Sequence, residues 1–466
     1  MPLIKKGIFM KKIIIALVAL AFVFLILPLV GNKVAEETLN DRVELLTSYG
    51  VELMDKKSDS SYFKSKKHYK FVVSDEKKFI KYLSQFSDAQ LPPYTSALVK
   101  GVVVGVDIEY SNLPISDALS VDIYPLSLSS EMMDGVKRED EKFYNYIKKF
   151  FESKGILYHI NYNIVKNDFD GYIKDIDEKY MTDDKTEINI ELEKATFKGK
   201  GPLIAPIEIV SNIEKINISA NGKKIEALLT LKGFSSTATF NSESTYITTA
   251  KFKNLKTNFK ERNKEYSLYL SNLAIDISAN SQDKKAQLYA KTSLGKLVLE
   301  SKGESVSIDD FNYDFSMSDL DKDDIEAIRT LVSQSRTDNS YKLQKKIQNR
   351  IMSLLSKGMK IEIADLSLKN FILNKTKKYE GFKVKSTFIL KPDNNFAKKL
   401  EKSPMLLLEN IDLAINFVIS KPIFKFLEKQ APALSMAKGY AKEVSNNVVY
   451  DITMKKGKLR VNGKEI

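Results

Sequence analysis

The sequence predicts an α+β, β-rich protein: an N-terminal transmembrane helix followed by a large extended antiparallel β-meander with helical insertions. Three observations predict it. Ile13 to Val30, IIIALVALAFVFLILPLV, is 18 residues without a charge. From Glu187 to about Ser318 the chain alternates apolar and polar residues almost continuously, broken by Asn, Gly, Asp or Ser-rich turns, and period two is the strand period. Two stretches with helical spacing, at about 319–358 and 422–445, interrupt that alternation.

Residues 1–12 read as a basic cytoplasmic segment carrying Lys5, Lys6, Lys11 and Lys12. Residues 13–30 read as the membrane anchor, with Ile13, Leu17, Leu20, Phe22, Phe24, Leu27 and Val30 toward lipid. As a helix this segment spans ~27 Å, close to the ~30 Å of bilayer hydrocarbon. Small residues at −3 and −1 of a cleavage site are poorly supplied, since Gly31 pairs with Leu29 and Ala35 with Lys33. An uncleaved signal anchor is therefore expected rather than a signal peptide. Lysines before the span keep that side cytoplasmic, so the bulk of the chain is expected in the periplasm of a bacterial inner-membrane protein.

Residues 31–56 are expected to form a helical stalk, from the spacing of Leu39, Val43 and Leu46. Residues 57–185 follow as an N-terminal α+β part, with strands near Phe71–Val73, Val102–Tyr110 and Tyr158–Val165. Between them lies a helix over Glu139–Lys154, where Phe143, Tyr146, Ile147, Phe150 and Phe151 share one face. Residues 186–466 are expected as the extended antiparallel sheet. Within it recurs a unit, apolar-x-[Asn/Asp]-apolar, at Phe252–Leu255, Leu270–Leu273, Ile308–Phe311, Ile363–Leu366 and Leu408–Ile411. Its uneven spacing argues against a solenoid of fixed period, and its Asn or Asp is expected to face solvent or mark a bulge. Leu343, Ile347, Ile351 and Leu354 from the first helical insertion, and Phe424 and Leu427 from the second, which extends past Leu434 and Tyr440, are candidate covers for the apolar sheet face. The chain ends as a hairpin from Val448, with turns at Lys456–Gly457 and Asn462–Gly463.

Composition removes several chemistries. The 466 residues contain no cysteine and two histidines, His68 and His159, so disulfides, thiol nucleophiles, a lipid-modified N-terminal cysteine and a Cys/His zinc site are all excluded. The net charge of +13 includes four lysines of the first twelve residues, leaving +9, and only seven of the 73 basic residues are arginine. That balance reads as lysine-rich solvated surface with affinity for anionic lipid, and no nucleic-acid partner is expected. The acidic run Asp319–Asp323 lacks the glycine and the bidentate glutamate of a calcium loop and fits a helix N-terminus. Gly199–Pro202 lacks the Lys-Ser/Thr of a phosphate loop, and Ser61–Lys64 matches Ser-x-x-Lys only by chance. Neither histidine has a sequence-local partner, so both are read as structural, and the basic face Lys342, Lys345, Lys346, Arg350 and Lys357 as solvated. No catalytic set, metal site or cofactor is expected.

Met10-Lys11-Lys12 before the span, Gly31-Asn32-Lys33-Val34-Ala35-Glu36 after it, Tyr62-Phe63-Lys64-Ser65 and Leu459-Arg460-Val461-Asn462-Gly463-Lys464 together resemble the YdgA-like bacterial envelope proteins, a family with a domain of unknown function. The resemblance implies a single-pass inner-membrane anchor and a large β-rich periplasmic domain, and carries over no catalytic residue. The expected function is a non-enzymatic, membrane-anchored binding protein whose partner, besides the lipid bilayer, is a lipid or another envelope component. The alternative is a structural or protein-interaction scaffold of the envelope, with a homodimer among its forms, working through exposed sheet edges.

Overall fold

A computed structural model describes residues 44–466 except for 62–63, 84–94, 112–117, 203–205, 224, 243, 262–263, 336–339 and 431–436. The anchor residues Ile13, Leu17, Leu20, Phe22, Phe24, Leu27 and Val30, and Leu434, lie outside the described residues. Among the described residues no helix is long and apolar enough to cross a membrane. The fold is mostly antiparallel β-sheet with helices. It divides into two compact units, one of residues up to 236 together with 257–264, the other of 237–256 and 265–466.

In the first unit β1 (Val51–Ser60), β2 (Lys64–Val73), β3 (Val103–Ser111), β4 (Ala118–Ser127), β5 (Tyr158–Asn163) and β6 (Asp168–Ile173) pair antiparallel in sequence order. Strands β7 (Ile176–Met181), β8 (Glu187–Glu193), β9 (Ala195–Lys200) and β10 (Glu208–Asn221) complete it: β6 pairs with β9, β7 with β8, and β10 with both β8 and β9. The short helices α1 (Glu76–Leu83) and α2 (Thr95–Val99) follow β2, and α3 (Ser130–Glu139) and α4 (Glu141–Glu152) lie between β4 and β5. The stalk expectation needs correction here. Residues 44–48 are helical, but Gly50 turns the chain at φ +83 and Val51 opens a strand paired to β2. The ladder to β2 decides what helical periodicity in so short a segment could not.

The long strands β11 (Ile225–Ser242), β12 (Thr245–Glu261) and β13 (Lys264–Gln282) contribute residues to both units. In the second unit β13, β14 (Lys285–Ser301), β15 (Glu304–Asp321), β16 (Met359–Leu373), β17 (Lys377–Leu390) and β18 (Ile411–Ser420) form an antiparallel meander. Strand β19 (Lys442–Val444) and β18 both pair with β20 (Asn447–Lys455), and β21 (Lys458–Val461) and β22 (Lys464–Glu465) follow. Both terminal turns carry positive φ at their two central residues, Lys456 (52°) with Gly457 (72°) and Asn462 (48°) with Gly463 (82°), the backbone that tight hairpins require.

Helices α5 (Lys322–Ser335), α6 (Tyr341–Ser356) and α7 (Phe396–Lys402) close one end of this unit's sheet. Leu343 and Leu354 are buried there, and Leu354 joins a cluster with Leu320, Met359, Leu390 and Phe396. At the other end α8 (Lys421–Gln430) lays Ile423 and Phe424 on Ile419, Val448 and Tyr450, and Phe426 meets the rings of Phe371 and Tyr379 at 6.0 and 5.4 Å. Ile347 is half-buried, but Ile351 and Leu427 do not cover the sheet, being 40% and 37% exposed. On each short helix the buried stripe is narrower than the apolar set, so one apolar residue of each is left at the margin. The second helical region also stops earlier than expected, since α8 ends at Gln430 and 442–444 are strand.

The recurring apolar-x-[Asn/Asp]-apolar unit acquires a physical meaning. Residues three apart in a regular strand point to opposite faces, yet Leu270 and Leu273 are matched by Leu297 and Leu294, then by Ile308 and Phe311, Phe371 and Leu368, and Tyr379 and Phe382. At one level across five strands Asn272, Gly295, Asp310, Lys369 and Gly381 drop out of the ladders. Asn272 and Asp310 have left-handed backbone, φ 51 and 52°. This seam resets the pleat, so both halves of each strand place apolar residues on one face. The same device occurs in the first unit, where Lys194 (φ 49°) separates β8 from β9. Together with Gly233 (φ 62°), the left-handed positions 194, 233, 272 and 310 fall 39, 39 and 38 residues apart. A regular period of two strands is present, therefore, where uneven motif spacing had argued for none.

Ion pairing joins the two insertion helices. The Asp324 carboxylate is fully buried and accepts hydrogen bonds from Arg350 Nη1 (3.1 Å), Ser353 Oγ (2.8 Å) and the Lys357 ammonium (2.7 Å). Arg350 and Lys357 are thus committed to the fold rather than freely solvated. Burial would raise the Asp324 pKa, but the Lys357, Ser353 and Arg350 hydrogen bonds outweigh it and hold the carboxyl below its ordinary range. A depressed folded pKa means a contribution fully present above the unfolded value of ~3.9 and lost as pH falls through the folded value. Asp324→Asn strands two cations against a buried amide and is expected to cost about 3 kcal/mol; faster hydrogen exchange in α5 and α6 measures it, and unchanged protection would refute it. Asn272→Gly is expected to be near neutral, whereas Asn272→Val is expected to cost roughly 1–2 kcal/mol by forcing a β-branched residue into left-handed backbone; the two denaturation midpoints check this.

Candidate functional site

Helix α4 begins at Asp140, whose carboxylate accepts the Phe143 N–H at 2.8 Å, and its apolar stripe faces the sheet with Phe143, Ile147 and Phe151 buried. Polar contacts hold both of its ends. At the start, Tyr180 donates to Asp140 at 3.3 Å, Lys142 pairs with Asp183 at 2.9 Å, and Tyr146 donates to Glu178. Beyond the end, the Lys154 ammonium lies 2.5 Å from Asp107 Oδ2 and 4.2 Å from the centroid of the Tyr124 ring.

Under α4 the sheet is creased. Ile173 and Ile176, Leu192 and Ala195, and Ile213 and Ile216 are apolar pairs three residues apart, flanking the break between β6 and β7, the break between β8 and β9, and the unpaired step in β10. Asp175 accepts the Lys194 N–H at 2.7 Å and Lys194 pairs with Glu214 at 2.7 Å, tying the three strands at that level. Helix and crease enclose an apolar cavity of about 420 Å³, and all six crease residues line it. Phe143, Tyr146, Ile147, Phe150 and Phe151 line it from α4, and Phe197, Ile188, Ile190, Ile218 and Phe234 from the strands. The volume falls within the ~300–1,000 Å³ of ordinary small-molecule sites.

Two carboxylates reach the lining, Glu178 and Glu191, with no lysine, arginine or histidine. They lie on opposite faces. Glu178 sits between Ile176 and Tyr180 and opposite Ile190, on the inward face, whereas Glu191 is opposite Asp177 and is engaged by Lys215 at 2.5 Å. Hydrogen bonds from Lys215 and Asn189 hold the Glu191 carboxyl below its ordinary range. Burial, then the hydrogen bond to Glu178, pushes the Tyr146 hydroxyl well above its ordinary pKa, and burial beside Asp140 pushes Tyr180 up to about 12. Both phenols therefore remain hydrogen-bond donors at neutral pH.

On the outer side of the same sheet, the register aligns His68, Asp107, Asp122 and His159 across β2 to β5. His68 Nδ1 is 2.6 Å from Asp107 and His159 Nδ1 is 2.7 Å from Asp122. Both histidines thus have the partners that sequence proximity did not reveal, supplied by neighbouring strands. Burial opposes ionisation of Asp107, and hydrogen bonds from Lys154, His68 and Tyr124 outweigh it, keeping its pKa low. Among the described residues no cluster of His, Asp and Glu is placed to hold a metal ion.

The candidate covers Leu343, Ile347, Ile351, Leu354, Phe424 and Leu427 all belong to the second unit and none lines the cavity. The helix that does was legible as amphipathic, but its cavity was not. Glu178 carried a signal, a carboxylate at an apolar position of the alternation Ile176-x-Glu178-x-Tyr180. The profile of a bacterial family of unknown function, DUF945, matches residues 173–466. No curated protein and no solved structure matches the chain.

Proposed function

The chain belongs to this DUF945 family, and from that premise we propose that it is a non-enzymatic, membrane-anchored protein of the bacterial envelope that holds an apolar ligand in the cavity beneath α4. The anchor is the uncharged segment Ile13–Val30 behind a lysine-rich start, which places the two units outside the cytoplasm. The observation that carries the binding role is the cavity of about 420 Å³ lined by aromatic and aliphatic side chains. Protein interiors pack closely and leave few voids larger than a water molecule. An apolar space of this size, spanned by a helix with polar contacts at both ends, is accounted for by an occupant.

Native mass spectrometry of the full chain, followed by organic extraction, tests the binding role. A lipid-sized adduct at one per chain is expected, and Ala195→Phe, which fills the lining at a buried position, is expected to lower its occupancy about tenfold while the circular dichroism spectrum is retained. A lipid-free chain that also takes up no added lipid would sink the reading. Topology is tested with the cysteine-free background: Ser58→Cys, at an exposed position of β1, is expected to react with a membrane-impermeant maleimide in cells whose outer membrane alone is permeabilised. Reaction only after complete lysis would place the units inside the cytoplasm.

A further inference from the structure

Resting on the cavity reading above, we infer that the ligand is an uncharged, hydroxyl-bearing amphiphile, of the monoacylglycerol or long-chain alcohol class, whose hydroxyl donates to the Glu178 carboxylate. Glu178 is the one charged side chain on the inward face of β7, where its neighbours Ile176 and Tyr180 and its cross-strand partner Ile190 all line the cavity. Its Oε2 atom accepts the Tyr146 hydroxyl, which leaves the other oxygen as an acceptor. No cation lines the space with it. A fatty-acid carboxylate or a phosphate head inside such a lining would meet a like charge in a poorly screened environment with no counter-ion, and like charges at short range disfavour each other most where water is excluded. The remaining polar lining groups, Thr196, Ser211, Asn212 and Ser236, are neutral and suit hydroxyls. An alkylammonium head matches the sign of Glu178, but the neutral set offers it no second carboxylate, and it would surrender its strong hydration on entry.

The experiment compares monododecanoylglycerol, dodecanoate and dodecylamine on the full chain by titration with native mass spectrometry, so that the tail is constant and only the head varies. Monododecanoylglycerol is expected to bind about tenfold or more tightly than either charged ligand at neutral pH. Glu178→Gln is expected to bring dodecanoate within about threefold of the neutral ligand, by removing the like charge rather than by altering the tail site. Dodecanoate or dodecylamine binding as tightly as the neutral ligand to the unaltered chain would overturn the inference and leave the cavity reading standing. Failure of all three to bind would overturn both. The ranking on the unaltered chain decides the matter even if the variant does not fold.

Discussion

The fold depends on one constraint, the phase of the apolar alternation. A strand presents alternate residues to each face, so a long strand keeps one apolar face only if its pattern never slips. In this chain it slips repeatedly, with apolar residues three apart instead of two, and the backbone absorbs the slip. A left-handed residue or a glycine drops out of the ladder at the same level in neighbouring strands, so partners slip together and no register is lost. Most residue types adopt φ near +50° only at a cost, which explains why Asn, Asp and Gly dominate these positions. Lys194 departs from that set, and its place is held by the Asp175 acceptor on its N–H and by Glu214 on its ammonium.

The two units put this device to different ends. In the second, the apolar face runs across β13 to β20, and helices cover its two ends through Leu354 and Phe424 and their neighbours. In the first, the crease lies directly under α4, and the six apolar residues that flank it become part of a cavity lining. A flat sheet would let the helix settle onto it. A creased sheet under a helix whose ends are fixed by Asp140, Tyr146 and Lys154 leaves a space between. The cavity is thus a consequence of where the pattern slips, combined with where the polar contacts hold the helix.

Much of this was legible in the sequence and some was not, for reasons that can be named. Strand density, the α4 helix with Phe143, Ile147 and Phe151 on one side, the α5–α6 insertion and the two Gly-containing terminal turns follow from local periodicity and turn chemistry. The apolar-x-[Asn/Asp]-apolar unit was visible as a motif, but its role needed the register, because only cross-strand partners show that the slips align. Its period was hidden because a glycine, Gly233, and a lysine, Lys194, occupy two of the four left-handed positions. The partners of His68 and His159 lie 39 and 37 residues away, beyond any local reading. Val51–Asp55 looked like the end of a helix because a few apolar residues fit either period, and pairing with β2 settled it.

Where the family's profile begins bears on how the cavity is assembled. The match starts at Ile173, which is itself the first of the crease residues. The creased strands, with Glu178 and Phe197, therefore lie inside the matched segment, while α4 and Tyr158 lie before it. An apolar creased surface left open to water would favour association or aggregation, so a chain carrying that segment needs a cover for it. Here the cover is α4, and its Tyr146 brings the hydroxyl that meets Glu178. The polar end of the cavity is consequently made jointly, with an acceptor from the sheet and a donor from the helix. Changing the helix alone would alter what the Glu178 carboxylate faces without disturbing the crease, which separates the residues that create the space from those that set its chemistry.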